Sequence, residues 1–355
     1  MRANRWMLPA AAAVLLTAMP ASRAQEPETV VGEVVEVSEV LLDVVVTDNR
    51  GNVVLGLDKD DFVVTENGSP VELNSATFYS HLRFLDSLDN AAELGIDPAS
   101  VSVDRQFILF FHDQRRELSR LTARQLDAGR RARQWVASEL EPTDWVAVVA
   151  YDTSLKILQD FTNDRQQLDG AIGRAVQGLD PVTEDAVRQP QGAPSLLPAF
   201  SALDMPIRRV YDALEAVARS TAHIRGRKNL AMFSIGFGEV NRFGFYTPDR
   251  RYYPEMVQAL NDANVAVYAI DLIPSSDSLL GSSLNSLAAD TGGEYYSTFV
   301  NFLAPLEQMA TDNNGYYLLG YSVDKGAQSG YQEVAVDVRN PLFKVRARTG
   351  YLYGE

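Results

Sequence analysis

From residue 105 onward, short apolar runs alternate with longer segments whose apolar residues recur every three or four positions. Phe107-Ile108-Leu109-Phe110-Phe111 is apolar throughout, as in a strand covered on both faces. The next segment sets Leu118, Leu121, Leu126, Trp135, Val136 and Leu140 near one helical face and leaves Arg124, Arg130, Arg131 and Arg133 outside it. Pro142 ends it. Trp145 to Tyr151 predicts a second strand, Leu155 to Phe161 a short edge strand, and Leu168, Ile172 and Val176 a helix. A proline-rich stretch, 181–206, predicts a long loop. Beyond it come a helix around Val210, Leu214 and Val217, a strand over 230–235, a helix around Met256 and Leu260, and a strand over 265–272. Residues 284–289 predict a helix, Gly292-Gly293 a turn, 294–297 a short strand, and Leu303, Leu306 and Met309 a closing helix.

Strands that alternate with helices in this way predict an α/β fold with a doubly wound, mostly parallel sheet, of Rossmann-like type. Sites in such sheets lie beyond the carboxyl ends of the strands. Those ends are Phe111–Glu117, Tyr151–Ser154 (with Asp152), Gly236–Val240 and Leu272–Ser276.

Both flanks are β-patterned. Val40 to Thr47 is rich in β-branched residues and runs into the turn Asp48-Asn49-Arg50-Gly51-Asn52. Val53 to Leu57 predicts a returning strand, and Asp61 to Glu66 meets Val71 to Leu73 across Asn67-Gly68, a two-residue hairpin turn. Residues 85–104 are polar and weakly patterned. The tail supplies 316–321, 333–339 and 343–348, strands that need a partner. The α/β part is therefore expected to be inserted into a small β-sandwich built from both ends. The expected layout is 30–82 for the first half of the sandwich, 83–104 for a linker, 105–312 for the α/β part and 313–355 for the second half.

The start of the chain changes the picture of compartment. Arg2 and Arg5 precede the apolar run Leu8–Met19, Pro20 breaks it, and Ala21-Ser22-Arg23-Ala24 closes it with small residues three and one before a cut. That order is a secretory signal peptide over 1–24, with cleavage expected after Ala24, and the run is too short to span a bilayer. Its removal takes away three arginines and no acid, so the net charge of −15 becomes about −18. Such acidity disfavours nucleic acid and anionic lipid as partners. There is no cysteine, hence no disulfide framework and no thiolate metal site. No later run reaches 18 apolar residues, so no integral membrane span is expected.

Four stretches carry a family resemblance. They are Val44-Val45-Val46-Thr47-Asp48 through Gly56-Leu57 and Asp61-Phe62 to Glu66-Asn67-Gly68; the buried strand ending at Asp113; Leu287-Ala288-Ala289-Asp290-Thr291-Gly292-Gly293; and Tyr317-Leu318-Leu319-Gly320-Tyr321 with Lys344-Val345-Arg346-Ala347-Arg348. In this order the chain resembles the exported von Willebrand factor A-related proteins of Acidobacteria. The resemblance implies a doubly wound A domain that binds proteins, as in adhesion, rather than catalysing a reaction. It also implies a metal site: an Asp-x-Ser-x-Ser after the first strand, a later Thr, and an Asp after the fourth strand, around Mg²⁺. Here only Asp113 matches. Arg115 and Glu117 stand at the two Ser positions, and Phe233 to Glu239 holds no Asp. A guanidinium there would repel a cation and could pair with Asp113 instead. No cofactor is expected, with Mg²⁺ at Asp113 as the exception to test.

Candidate chemistry beyond this is sparse. His81, His112 and His223 show no metal-ligand spacing, and there is no Gly-x-Ser-x-Gly elbow. His112-Asp113 is the pair that could do acid–base work in a secreted hydrolase, the rival to a binding protein; a purely structural envelope role is a third reading. Asp290-Thr291-Gly292 imitates an aspartic-protease signature but has no second copy, and reads as a helix cap. The aromatic and basic stretch 242–253, with Arg251 and Tyr252, follows the fourth strand and predicts a contact patch for a protein ligand. The expected binding residues are thus Asp113, Arg115, Glu117, Asp152, Arg251 and Tyr252.

Overall fold

The computed structural model describes residues 37–81, 101–102, 104–114, 121–182, 189–240, 242, 246–247, 249–273, 280–297, 301–324 and 330–353. The expected signal peptide, most of the 83–104 linker, Leu118, Arg115 and Glu117 lie outside the described residues.

The strands are β1 Val37–Thr47, β2 Phe62–Glu66, β3 Ser69–Val71, β4 Leu73–His81 and β5 Val101–Ser102. Next come β6 Arg105–His112, α1 Leu121–Glu139, β7 Asp144–Tyr151, β8 Leu155–Thr162, α2 Arg165–Gln177, the one-turn helix α3 Leu197–Ser201 and α4 Val210–Thr221. The chain continues through β9 Lys228–Ser234, the small hairpin β10 Glu239–Val240 and β11 Tyr246–Thr247, α5 Tyr253–Asp262, β12 Val265–Asp271, α6 Gly281–Asp290, β13 Glu294–Ser297 and α7 Leu303–Asp312. It closes with β14 Gly315–Asp324, β15 Gly330–Val338, β16 Lys344–Arg346 and β17 Gly350–Tyr353.

Among the described residues, one sheet has the order β13-β12-β9-β6-β7-β8. It is parallel except for β8, which pairs antiparallel with β7 at the edge. All eight residues of β6 are buried, which is why its apolar run is unbroken. Phe107, Leu109 and Phe111 pack under α1, α2 and α7, while Ile108 and Phe110 pack under α4, α5 and α6. Helices on both faces make the sheet doubly wound, as the alternation of patterns predicts.

The other strands form two antiparallel-rich sheets, β16-β1-β14-β4-β5 and β17-β15-β2-β3. Their inner faces share one apolar cluster that includes Val40, Leu42, Val44, Phe62, Phe78, Leu319 and Val334. β1 pairs with β14 over eight residues, Val37–Val44 against Tyr317–Asp324, so the two ends of the chain do build one sandwich. Glu66 Oε2 fastens its layers, accepting from Tyr321 Oη at 2.7 Å and Tyr351 Oη at 2.6 Å.

Some local expectations need correction. Residues 53–57 make only a single bridge, Val53 to Thr47. Val54 N donates to Val46 O of β1 at 2.9 Å, and beyond that the backbone is held by the Tyr317 side chain, whose hydroxyl donates to Val54 O and accepts from Leu57 N, both at 3.0 Å. Leu126 does not join the apolar face of α1 but is 44% exposed, and Arg124 turns inward to donate to Leu272 O. Alanine, glycine and Gln125 occupy the buried stripe, letting α1 approach its neighbours closely. Within the stretch read as a linker, Val101–Ser102 extends β4 as a parallel strand. β17 lies past the last strand expected.

Candidate functional site

β6 is the point where the wound sheet reverses: the chain runs out through β7 and β8, then returns to β9 on the other side of β6. A crevice is expected there, beyond the ends of β6 and β9. It is filled by the protein's own side chains. His112 Nδ1 lies 2.9 Å from Ser234 Oγ; Ser234 Oγ donates to Gln114 Oε1 at 3.1 Å and accepts from Gly236 N at 3.0 Å. Gln114 Oε1 also accepts from Ile235 N at 3.0 Å, and its Nε2 donates to Gly236 O at 3.0 Å. Above them, a Cβ on Gly236 (φ +97°) would overlap Leu280 O, and Phe237 N donates to Ser283 Oγ at 3.1 Å. The segment entering α6 therefore lies across the crevice.

Burial holds the His112 imidazole at a pKa of about 4, against a smaller upward pull from Asp113, so the ring is neutral at physiological pH. His112 faces inward, while Asp113 is half-buried and its N–H donates to Tyr151 O at 2.7 Å. The His112 ring is thus turned inward onto Ser234, although the Asp113 charge still acts on it. Asp271, at the end of β12, was not singled out by the sequence. It is fully buried, accepting from Ile273 N at 2.8 Å and Tyr295 Oη at 3.0 Å. The aspartates at the two strand ends lie among partners of their own, and among the described residues no three His, Asp or Glu side chains gather as a cation site. Arg115 and Glu117 lie outside the described residues.

Asp290-Thr291-Gly292 is structural, as its reading as a cap implies. Gly292 adopts φ +72°, Gly293 N donates to Ala288 O at 2.9 Å, and Asp290 accepts from Tyr253 Oη at 2.6 Å and Thr349 Oγ1 at 2.8 Å.

The same edge carries a second group of residues, on the rim. Arg209 and Tyr252 precede α4 and α5, and both helices begin at the carboxyl ends of the strands. The Arg209 guanidinium lies 3.6 Å from the Tyr252 ring centroid, and Arg251 approaches the same ring at 5.1 Å. Tyr211 joins the stack, 6.2 Å from Tyr252 and edge-on to Phe237 at 5.1 Å. Arg209 pairs with Asp212 at 3.2 Å and Arg251 with Asp249 at 3.0 Å. Arg251 is 76% exposed. Asp152 lies just past the end of β7. Burial pushes its carboxyl up, but the N–H groups of Thr153 and Ser154 and the Lys156 ammonium outweigh this and hold its pKa at about 2. Burial, then Asp212 and Asp152, raise the Tyr151 phenol, with Arg209 pulling the other way. Of the expected binding residues, Arg251 and Tyr252 stand together, Asp152 lies along the same rim, and Asp113 is set apart beside the filled crevice. Arg209, Tyr211 and Gln114 were missed; the Arg209–Asp212 spacing of three before a helix was the available signal for the first.

No protein-family model matches the chain, and no curated protein matches it. Among solved structures, an aerotolerance-related membrane protein from Bacteroides fragilis aligns with TM-score 0.40 and 11% identity, covering 59% of this chain and 98% of that one. The vWF domain of the type V pili tip protein Mfa5 from Porphyromonas gingivalis aligns with TM-score 0.38 and 12% identity, covering 59% and 95%. A three-domain piece of Mfa5 covers 89% of this chain and 69% of its own length, at TM-score 0.40 and 10% identity. Likenesses this low carry no functional information.

Proposed function

We propose that this protein is an exported, non-catalytic interaction protein of von Willebrand factor A type, which holds a protein partner on the carboxyl edge of its wound sheet. The observation that carries the reading is the stack on that rim, in which exposed Arg251 and half-buried Arg209 flank the half-buried Tyr252 ring. Tyrosine and arginine dominate the energetics of protein interfaces, and here two arginines stand out on a chain of net charge −15. The burial of both His112 and Ser234 supports binding over hydrolysis, because a substrate would have to reach side chains closed off from the surface.

The reading includes no metal. His112, Gln114 and Ser234 satisfy one another where a cation would need oxygen donors pointing outward. Adding Mg²⁺ or Mn²⁺ should leave the melting temperature unchanged; a rise would mean that Asp113 and neighbouring residues do hold an ion. Export rests on residues 1–24, and mass spectrometry of protein made in a Gram-negative host should find Gln25 first. Partner binding is tested by the pair Arg251→Ala and Tyr252→Ala. Affinity for the partner should fall at least about tenfold with the melting temperature unchanged, and unaltered affinity would move the contact elsewhere.

A further inference from the structure

At the opposite, amino-terminal edge of the wound sheet, β1 and β14 of the sandwich meet the residues that lead into β9 and β12 around a cavity of about 800 Å³. Sites for small organic ligands span about 300–1,000 Å³, so this space is large enough for one. Its walls are polar in a particular way. Asp43, on β1, is half-buried; Asn264 hydrogen-bonds its carboxyl and Arg227 and Arg348 act on its charge, but its Oδ1 is shut off from solvent with no hydrogen-bond partner among the described residues. Arg348 is half-buried as well. Its Nη1 donates to Asn261 O at 3.2 Å and its Nη2 to Leu41 O at 2.7 Å, which fixes the guanidinium, while the buried Nε has no partner. One buried acceptor and one buried donor are therefore unmatched in the same cavity. Leaving such groups unmatched is costly, so a group that satisfies both is favoured.

The charges restrict what that group can be. Arg225 and Arg227 accompany Arg348, and Glu39 and Asp262 accompany Asp43. A lone anion would meet the three carboxylates and a lone cation the three guanidinium groups, whereas a ligand bearing both charges suits both sets. Val40, Leu41 and Val265 add apolar wall, and the stacked Tyr79 and Tyr316 rings, 5.6 Å apart, add a flat one. We infer that this cavity binds an amino acid or short peptide with an apolar or aromatic side chain, its ammonium on Asp43 and its carboxylate on Arg348. The site is independent of the rim proposed above for a protein partner.

The test is calorimetry on the purified protein with L-alanyl-L-tyrosine, with the same dipeptide acetylated and amidated at its ends, with inorganic phosphate, and with ethylammonium chloride. The free dipeptide should bind, and capping both ends should weaken it at least about tenfold. Phosphate and ethylammonium should give no saturable heat. Asp43→Asn should reduce dipeptide affinity by a similar factor. Leu41→Trp puts an uncharged, bulkier side chain on the cavity wall while leaving every charged side chain in place, and should block binding, so the assignment remains testable even where Asp43→Asn does not fold. No saturable binding of the dipeptide at millimolar concentration overturns the assignment. Equal binding of the capped form or of phosphate, or undiminished binding to folded Leu41→Trp protein, overturns it too.

Discussion

Single residues decide whether the carboxyl edge is a working crevice or a filled one. His112 is the clearest case. Its folded pKa, about 4, lies below the ordinary 6.5, so the unfolded chain takes up a proton first as the pH falls. The stability it carries is complete above 6.5 and is lost progressively down to 4, on the order of 3 kcal/mol. Asp152 behaves oppositely in kind but also loses stability in acid, in the lower window between 3.8 and about 2. Urea midpoints measured from pH 7 to 4 should fall steeply for the natural protein and more gently for His112→Gln; parallel curves would mean the ring is not buried neutral. Gly293 is a second such residue. A Cβ there would overlap Val267 O, so β13 can approach β12 only without a side chain. Gly293→Ala should cost about 1–3 kcal/mol in chemical denaturation, and no loss would contradict this packing. The sequence offered Asp113 as the residue of interest because strand ends are readable from pattern; it could not reveal that Gln114, one residue on, closes the crevice.

At the scale of elements, pattern reading succeeded where burial is complete on both faces and failed where a side chain substitutes for backbone pairing. β6, β7, β9 and β12 were legible because every residue, or nearly every one, is buried. The 53–57 segment misled because its apolar residues do pack on the sandwich, yet after Val54 N, which donates to Val46 O of β1, its hydrogen bonds go to a tyrosine hydroxyl. In α1 the large residue Leu126 drew attention away from Ala128, Gly129 and Ala132, which form the contact. Leu126→Ser should therefore leave the melting temperature within a degree or so, because an exposed substitution is worth about 0.5 kcal/mol or less; a large drop would restore Leu126 to the core. The layers of the sandwich are joined by polar as well as apolar contacts. Tyr321→Phe and Tyr351→Phe should each cost about 1 kcal/mol, and the double variant should differ from their sum, since both hydroxyls share one Glu66 oxygen. Strict additivity would mean they act separately.

For the whole molecule, the two edges of one sheet differ in what surrounds them. At the amino edge Arg105 bonds Asp144 of β7 bidentately at 2.7 and 2.6 Å and reaches Ala310 O of α7 and Asn314 Oδ1, just before β14, at 3.2 and 3.1 Å. The carboxyl edge carries the Arg209–Tyr252–Arg251 stack on its rim. Whole-molecule organisation was legible because unpaired apolar strands at both ends demanded each other; the stacking of Arg209 on Tyr252 was not, because the two come from helix starts 43 residues apart and meet only in the folded chain. The most direct measurement places a photo-cross-linking residue at Arg251, and in a separate protein at Leu342 on the sandwich, and illuminates both with envelope extract. A discrete cross-linked protein from position 251, suppressed by excess natural protein and absent from position 342, is the predicted result. The same products from both positions, or none from 251 while 342 captures a partner, would contradict the assignment of the carboxyl edge as the binding surface.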